Sequence, residues 1–270
     1  MRVHTAVIPA AGLGTRFRPV TKVVPKELLP IIDTPALQLV LDECAGAGID
    51  HVVLVTSRTK PGIEQFGRTV DGMRISIAYQ DEPKGLGHAV GCARDAVGTE
   101  PFAVLLPDEL MGDSGLLTQM IDVCERSDGS VVGLTKVPRD KVSAYGVIDP
   151  SGPLGDDGVV PVQSMVEKPP VDEAPSDLII IGRYVLTNDV LDLIDQLGPG
   201  AGGEIQLTDA LRQQAASGPF HGVVTRTTRF DTGNPFGWLT AVIDYALARP
   251  ELGERLDAWM RERLARGETT

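Results

Sequence analysis

The sequence predicts an α/β fold, a mixed but mostly parallel sheet with helices on both faces and a helical extension at the C-terminus. Three observations carry this. VHTAVIP (3–9), HVVLVTS (51–57) and PFAVLLPD (101–108) are short continuous apolar runs, the pattern of strands covered on both faces. Amphipathic segments with helical spacing alternate with these runs, which sets neighbouring strands parallel. From about residue 145 the strands YGVIDP, VQSMVEKP, LIIIGRYVL and GVVTRTTRFD have fewer helices between them, so part of the sheet is expected to be antiparallel.

In chain order, 3–9 is the first strand. TPALQLVLDECAGAG follows as a helix, with Thr34 as N-cap and Pro35 at the first helical position. Leu37, Val40, Leu41 and Cys44 share one face, and Gly46 or Gly48 ends it. HVVLVTS and ISIAYQ (75–80) are strands. GLGHAVGCARDAV opens on glycines and becomes one helix with Val90, Ala93 and Val97 inward. PFAVLLPD is a buried strand ending in an acid. LLTQMIDVCERS is a helix striped by Leu117, Met120, Ile121 and Cys124, and GSVVGLTKV returns as a strand. Later helices are LDLIDQL, LTDALRQQAA, FGWLTAVIDYALA and ERLDAWMRERLA, the last with Leu252, Leu256, Trp259, Met260 and Leu264 at helical spacing. No linker, repeat or charge block intervenes. A single domain over 1–270, with 236–270 as its helical extension, is expected.

Composition narrows the function. With 270 residues, 42% of them hydrophobic, the chain can bury a full core. No apolar run approaches the ~20 residues that span a bilayer, and MRVHTAVIPAAG reads as a strand, not a signal peptide. A formal net charge of -12 argues against a nucleic-acid partner. Cys44, Cys92 and Cys124 lie far apart with no CxxC, so they read as small buried hydrophobes in a cytoplasmic protein.

Against that acidity, GLGTRFRPVTKVVPKELLP (12–30) gathers Arg16, Arg18, Lys22 and Lys26 with one acid, Glu27. Pro19, Pro25 and Pro30 keep it from being helical. A dinucleotide fingerprint needs a third glycine and an immediate helix, and a P-loop needs GK[ST]; both are absent. A glycine turn after the first strand of an α/β sheet lies at the ligand-binding edge. The segment therefore reads as an extended strap around a polyphosphate, with glycines approaching it and Arg16 and Lys26 neutralising it. Arg18 and Lys22 read as solvated.

AAGLGTRFRPVTKVVPKELLP resembles the G-x-G-T-R…P-K signature of sugar-nucleotide pyrophosphorylases. The likeness continues through QDEPKGLGHAV (80–90), LLPDEL (105–110), SAYGVID (143–149), VEKP (166–169), APSDLIIIGRYVL (174–186), GAGGEIQLTDAL (200–211) and FDTGN (230–234). It covers nearly the whole chain in order and points to the uridylyl-transferring bacterial branch. It implies a Rossmann-like sheet of the nucleotide-diphospho-sugar transferase type. It also implies formation of UDP-glucose and pyrophosphate from UTP and glucose 1-phosphate, with Mg²⁺. The rivals are the same chemistry with dTTP or another sugar 1-phosphate, and a catalytically silent nucleotide-sugar-binding regulator.

Asp108 and Asp231 end distant strands. Two such carboxylates can share a hard cation, or each can simply cap a turn; the resemblance assigns them the metal. It likewise assigns Ala10, Ala11, Gly12, Gly14, Thr15, Arg16, Lys26, Gln80, Gly85 and Asp108 to the nucleotide. Gly146, Glu167, Lys168 and Gly182 fall to the sugar phosphate, and Arg16, Lys26, Asp108 and Lys168 to catalysis. Gln80 carries donors and an acceptor suited to the uracil edge. Adjacent strand residues face opposite ways, so Glu167 and Lys168 can meet one ligand only at a bend or strand end. Glu109 adjoins Asp108 without a decided role. Asn234 precedes Pro235 where many relatives have a lysine. His88 reads as a helix-start or core histidine. No membrane partner and a homo-oligomer are expected, with the C-terminal stripe packing on its own subunit or a neighbour.

Overall fold

The computed structural model describes residues 2–200 and 203–266. The chain enters on β1 (Thr5–Pro9), and β2 (Pro30–Ile31) and β3 (Thr34–Pro35) precede α1 (Ala36–Gly46). β4 (His51–Thr56), α2 (Pro61–Gly67), β5 (Arg74–Tyr79), α3 (Leu86–Gly91), α4 (Arg94–Val97) and β6 (Phe102–Leu105) follow. Next come β7 (Glu109–Met111), α5 (Gly115–Ser127), β8 (Ser130–Lys136), β9 (Gly146–Pro150), β10 (Val159–Glu167) and β11 (Leu178–Leu186). The chain ends through α6 (Val190–Gln196), α7 (Leu207–Ser217), β12 (Phe220–Val224), β13 (Arg229–Asp231), α8 (Pro235–Ala248) and α9 (Gly253–Ala265).

A nine-stranded sheet runs in the order β5-β4-β1-β6-β11-β8-β12-β10-β9. β5, β4, β1 and β6 are parallel, and β8 and β12 pair in parallel. β11 and β10 run against their neighbours, so the sheet is mixed as the sequence predicts. Alternation sends successive strand residues to opposite faces. Ala6, Ile8, Val52, Leu54, Ala103 and Leu105 join one core cluster with Leu37, Leu41 and Leu117. Val7, Val53, Val55, Phe102 and Val104 join the other with Val90, Leu191 and Leu211. β9 also pairs with β11 through Val147 and Ile179, so the second half of the sheet curls back on itself.

Three expectations change. Thr34 and Pro35 form β3, paired with Pro30 and Ile31, so the N-cap of α1 is Pro35, one residue later than expected, and no side chain caps the helix. Pro35 holds the extended ψ of 138 that an N-cap takes, and the Thr34 hydroxyl donates to Asp33 Oδ1 at 3.0 Å instead of to the helix start. The helix expected over 86–97 breaks where Ala93 N–H turns to the Val90 carbonyl three residues back. GVVTRTTRFD splits, because after Thr225 the chain leaves the large sheet and β13 pairs with β7.

Candidate active site

Parallel pairing brings the C-terminal ends of β1, β4, β5 and β6 to one edge, where open α/β sheets bind ligands. The strap behind β1 is not extended. It folds into three single 3₁₀ turns, Thr15–Phe17, Val20–Lys22 and Lys26–Leu28. Arg18 and Leu29, which precede prolines, take extended ψ of 139 and 132 and stop two of them. The prolines exclude a long helix but permit one short turn at a time.

A cleft of about 450 Å³ opens at this edge, lined by Ala11, Gly12, Gly14, Thr15, Lys26, Gln80, Gly85 and Asp108. Gly14 sits at φ 60, left-handed, and its carbonyl accepts from the Thr21 hydroxyl at 2.7 Å. Ala10 is fully buried behind the wall. Arg16 is exposed and reaches across to the Gly233 carbonyl at 3.5 Å. Arg18 and Lys22 are also exposed, and they line an adjoining hollow that shares Gly12, Leu13 and Lys26 with the cleft.

Lys60, which the sequence reading passed over, holds this loop. Its ammonium donates to the Ala10 carbonyl at 2.6 Å, the Gly12 carbonyl at 2.9 Å and Glu27 Oε2 at 2.9 Å. Glu27 is 1% exposed. Burial pushes its carboxyl pKa up against the pull of Lys60 and Lys26, and burial likewise pushes Lys60 down. A signal was available in the sequence: Lys60 follows β4 at the same edge of the sheet.

β7 and β13 pair antiparallel with Asp231 opposite Glu109, and so bring the two predicted metal carboxylates together. Thr232 donates its N–H and its hydroxyl to the Asp108 carbonyl, at 2.8 and 2.9 Å. A Cβ added at Gly233 would lie 3.1 Å from Asp108 Oδ2 and 3.1 Å from Asp231 Oδ1, so both oxygens flank one small gap. The Lys26 ammonium sits on Asp108 Oδ2 at 2.5 Å, so the oxygen already attracts a cation. Two carboxylates at the edge of the cleft form a donor set that fits a hard divalent ion. Glu109 is committed elsewhere: Arg229 Nε donates to its Oε2 at 2.7 Å. Asn234 caps α8, accepting from Gly237 N–H at 2.9 Å, with Pro235 at the first helical turn.

A second cavity of about 190 Å³ is lined by Gly146, Glu167, Lys168, Gly182 and Thr208, and shares Leu86 and Leu106 with the first. The curl of β9 onto β11 delivers Gly146 here. β10 ends at Glu167, and Lys168 then turns left-handed at φ 47, uncommon outside glycine. That turn brings two neighbouring side chains to one side, with Lys168 Nζ 3.2 Å from Glu167 Oε1. Glu167 Oε2 accepts from the Thr208 hydroxyl at 2.7 Å. A side chain at Gly146 would press Glu167 Oε2 at 3.2 Å. At Gly182 the missing side chain is replaced by Leu106, whose Cβ stands 2.7 Å from where it would be, so this glycine serves packing as well as the cavity wall.

The comparisons agree with this geometry. Residues 5–246 match the nucleotidyl transferase family. The chain is 41% identical to the UTP–glucose-1-phosphate uridylyltransferase YngB of Bacillus subtilis, over 98% of this chain and 97% of the relative. It is 41% identical to a UTP–glucose-1-phosphate uridylyltransferase of Streptococcus pneumoniae, over 96% and 95%. Among solved structures, a UDP-glucose pyrophosphorylase complexed with UDP-glucose superposes with TM-score 0.86 at 36% identity, over 92% of this chain and 100% of that one. A UTP-bound enzyme from Acinetobacter baumannii superposes with TM-score 0.87 at 34% identity, over 96% and 99%. This chain belongs to the nucleotidyl transferase family.

Proposed function

We propose that the protein is a UTP–glucose-1-phosphate uridylyltransferase, making UDP-glucose and pyrophosphate. One observation carries the reading: a glycine-floored cleft and a smaller cavity holding Lys168 and Glu167 meet at Leu86 and Leu106. UTP occupies the cleft, its base beside Gln80 and Gly85 and its phosphates over Gly12, Gly14 and Thr15. Glucose 1-phosphate occupies the cavity, with Lys168 on its phosphate and Glu167 on sugar hydroxyls.

The nucleophile is a phosphate oxygen of the sugar 1-phosphate. It is anionic at neutral pH, so the chain supplies no general base. It attacks the α-phosphorus of UTP; the new P–O bond forms as the bond to pyrophosphate breaks, and the leaving group takes the electron pair. The protein brings two polyanions together and neutralises their repulsion, with Arg16 and Lys26 on one side and Lys168 on the other. Asp108 and Asp231 would hold a divalent cation, Mg²⁺ on this reading, which would supply further neutralisation of the substrates' negative charge.

Pyrophosphate release, measured with five nucleoside triphosphates against several sugar 1-phosphates, tests the assignment. UTP with glucose 1-phosphate should give the highest kcat/KM. A clear dTTP preference would replace it with thymidylyl transfer, and no product from any pair would leave a binding regulator. Asp108→Asn and Asp231→Asn should each lower kcat by at least about a hundredfold with thermal melting little changed. Wild-type turnover in either variant removes that residue from the metal pair.

A further inference from the structure

Gln80 is a buried side chain on the wall of the cleft. Its Nε2 lies 3.0 Å from the Gly85 carbonyl and 3.0 Å from His88 Nδ1. An amide nitrogen has two hydrogens. One is fixed by a carbonyl that can only accept. The other meets His88 Nδ1, which must then carry the lone pair. His88 is therefore the tautomer protonated at Nε2, and that nitrogen faces the Cys92 Sγ at 3.9 Å, a weak acceptor. With both hydrogens of Gln80 committed, Oε1 is the polar atom this residue has left to offer the cleft it lines. Turning the amide over would set its oxygen against the Gly85 carbonyl oxygen, so that contact fixes the sense of the amide, and His88 Nδ1, by accepting the second hydrogen, holds it there.

We propose that His88 is a positioning residue for base selection: by accepting the second hydrogen of the Gln80 amide it restrains a group that the Gly85 carbonyl has oriented, and keeps its oxygen toward the base. The cleft thereby selects pyrimidines that carry an N3–H, uracil or thymine, over cytosine, whose N3 is an acceptor. This rests on the reading of the cleft as the UTP site. It assigns a purpose to a histidine that on sequence alone is an ordinary helix-start residue. It also explains why selection does not need a charged group. A reversed amide would offer a donor to N3 and favour the wrong base.

The test compares wild type, His88→Leu and His88→Asn with UTP and with CTP, each at saturating glucose 1-phosphate. His88→Leu removes the acceptor, and should raise KM for UTP about tenfold and narrow the UTP-to-CTP ratio of kcat/KM by about tenfold, with kcat little changed. His88→Asn carries a carbonyl oxygen near the place of Nδ1 and should restore both to within about threefold of wild type. A wild type inactive with UTP fells the uridylyl reading and this one with it. An active wild type with an unaltered ratio in His88→Leu, or equal losses in both variants, fells the role of His88 alone. ¹⁵N spectra of labelled histidine in the unsubstituted protein provide a check independent of any variant. The His88 signals should report an unprotonated Nδ1 and a protonated Nε2, and the opposite tautomer overturns the proposal.

Discussion

At the scale of single residues, the loop that floors the cleft is held by a charge pair beneath it. Lys60 uses its ammonium on two loop carbonyls and on Glu27, whose carboxylate is almost wholly buried. Oε1 of that carboxylate has no hydrogen-bond partner among the described residues, so Lys60 is the main compensation for a charge taken out of water. Lys60→Met is expected to cost about 3–5 kcal/mol of stability, the usual consequence of removing one member of a buried pair. It should also raise KM for UTP, because Ala10 and Gly12 lose the cation that fixes their carbonyls. Urea titration together with steady-state kinetics checks both. A midpoint within error of wild type would mean that water solvates Glu27 and that the pair holds nothing. Lys60→Arg, which keeps the charge in a larger planar head, should recover part of the stability and less of the KM.

At the scale of elements, β11 shows what the sequence disclosed and what it withheld. LIIIGRYVL reads at once as a strand, yet Arg183 in its centre is a fully buried charge. Its guanidinium grips Glu43 of α1 through Nε at 2.8 Å and Nη2 at 2.6 Å. It also donates to the carbonyls of Leu106 at 3.2 Å and Glu109 at 2.8 Å. Those carbonyls bracket Asp108, so one helix and one strand jointly set the turn that carries the carboxylate proposed for the metal. Glu43→Gln is expected to lower stability by about 3–5 kcal/mol by unpairing a buried arginine. It should lower kcat more than it raises KM for UTP, because Asp108 loses its fixed place. Full kcat in a destabilised variant would uncouple the network from the site. The parallel strands and the glycine-rich turn were legible because apolar periodicity and edge topology are local signals, whereas the pairing of Asp108 with Asp231 was implied only by the resemblance. Lys60, Arg183 and the pairing of His88 with Gln80 were not, since each takes its meaning from a partner distant in the chain or across a turn. The closure of β9 onto β11 and the left-handed Lys168 depend on tertiary packing, which no local pattern encodes.

At the scale of the whole molecule, a formal charge of -12 would repel both substrates, and the strap answers by concentrating cations beside the cleft. The C-terminal helices raise a different question. α8 anchors to the body: Ala241 is fully buried, and Trp238, Val242 and Tyr245 pack on the first core cluster. α9 does not follow it inward, since none of its described side chains is buried. Phe236 stands 76% exposed, Trp259 59% and Leu264 81%. Covering these side chains with a partner would remove large apolar area from water. We propose a second copy of the chain as the partner, because a symmetric pairing lets one patch cover itself without a complementary surface elsewhere. Light scattering coupled to gel filtration at micromolar concentration should then give a dimer or a larger closed assembly. Phe236→Asp combined with Trp259→Asp should shift it to the monomer. The cleft and the sugar cavity are built from one chain, so the monomer should keep its kcat while losing thermal stability through mass action. A wild type that elutes as a monomer across that range removes the self-association reading. A monomeric variant with abolished kcat would mean instead that the neighbouring copy completes the site.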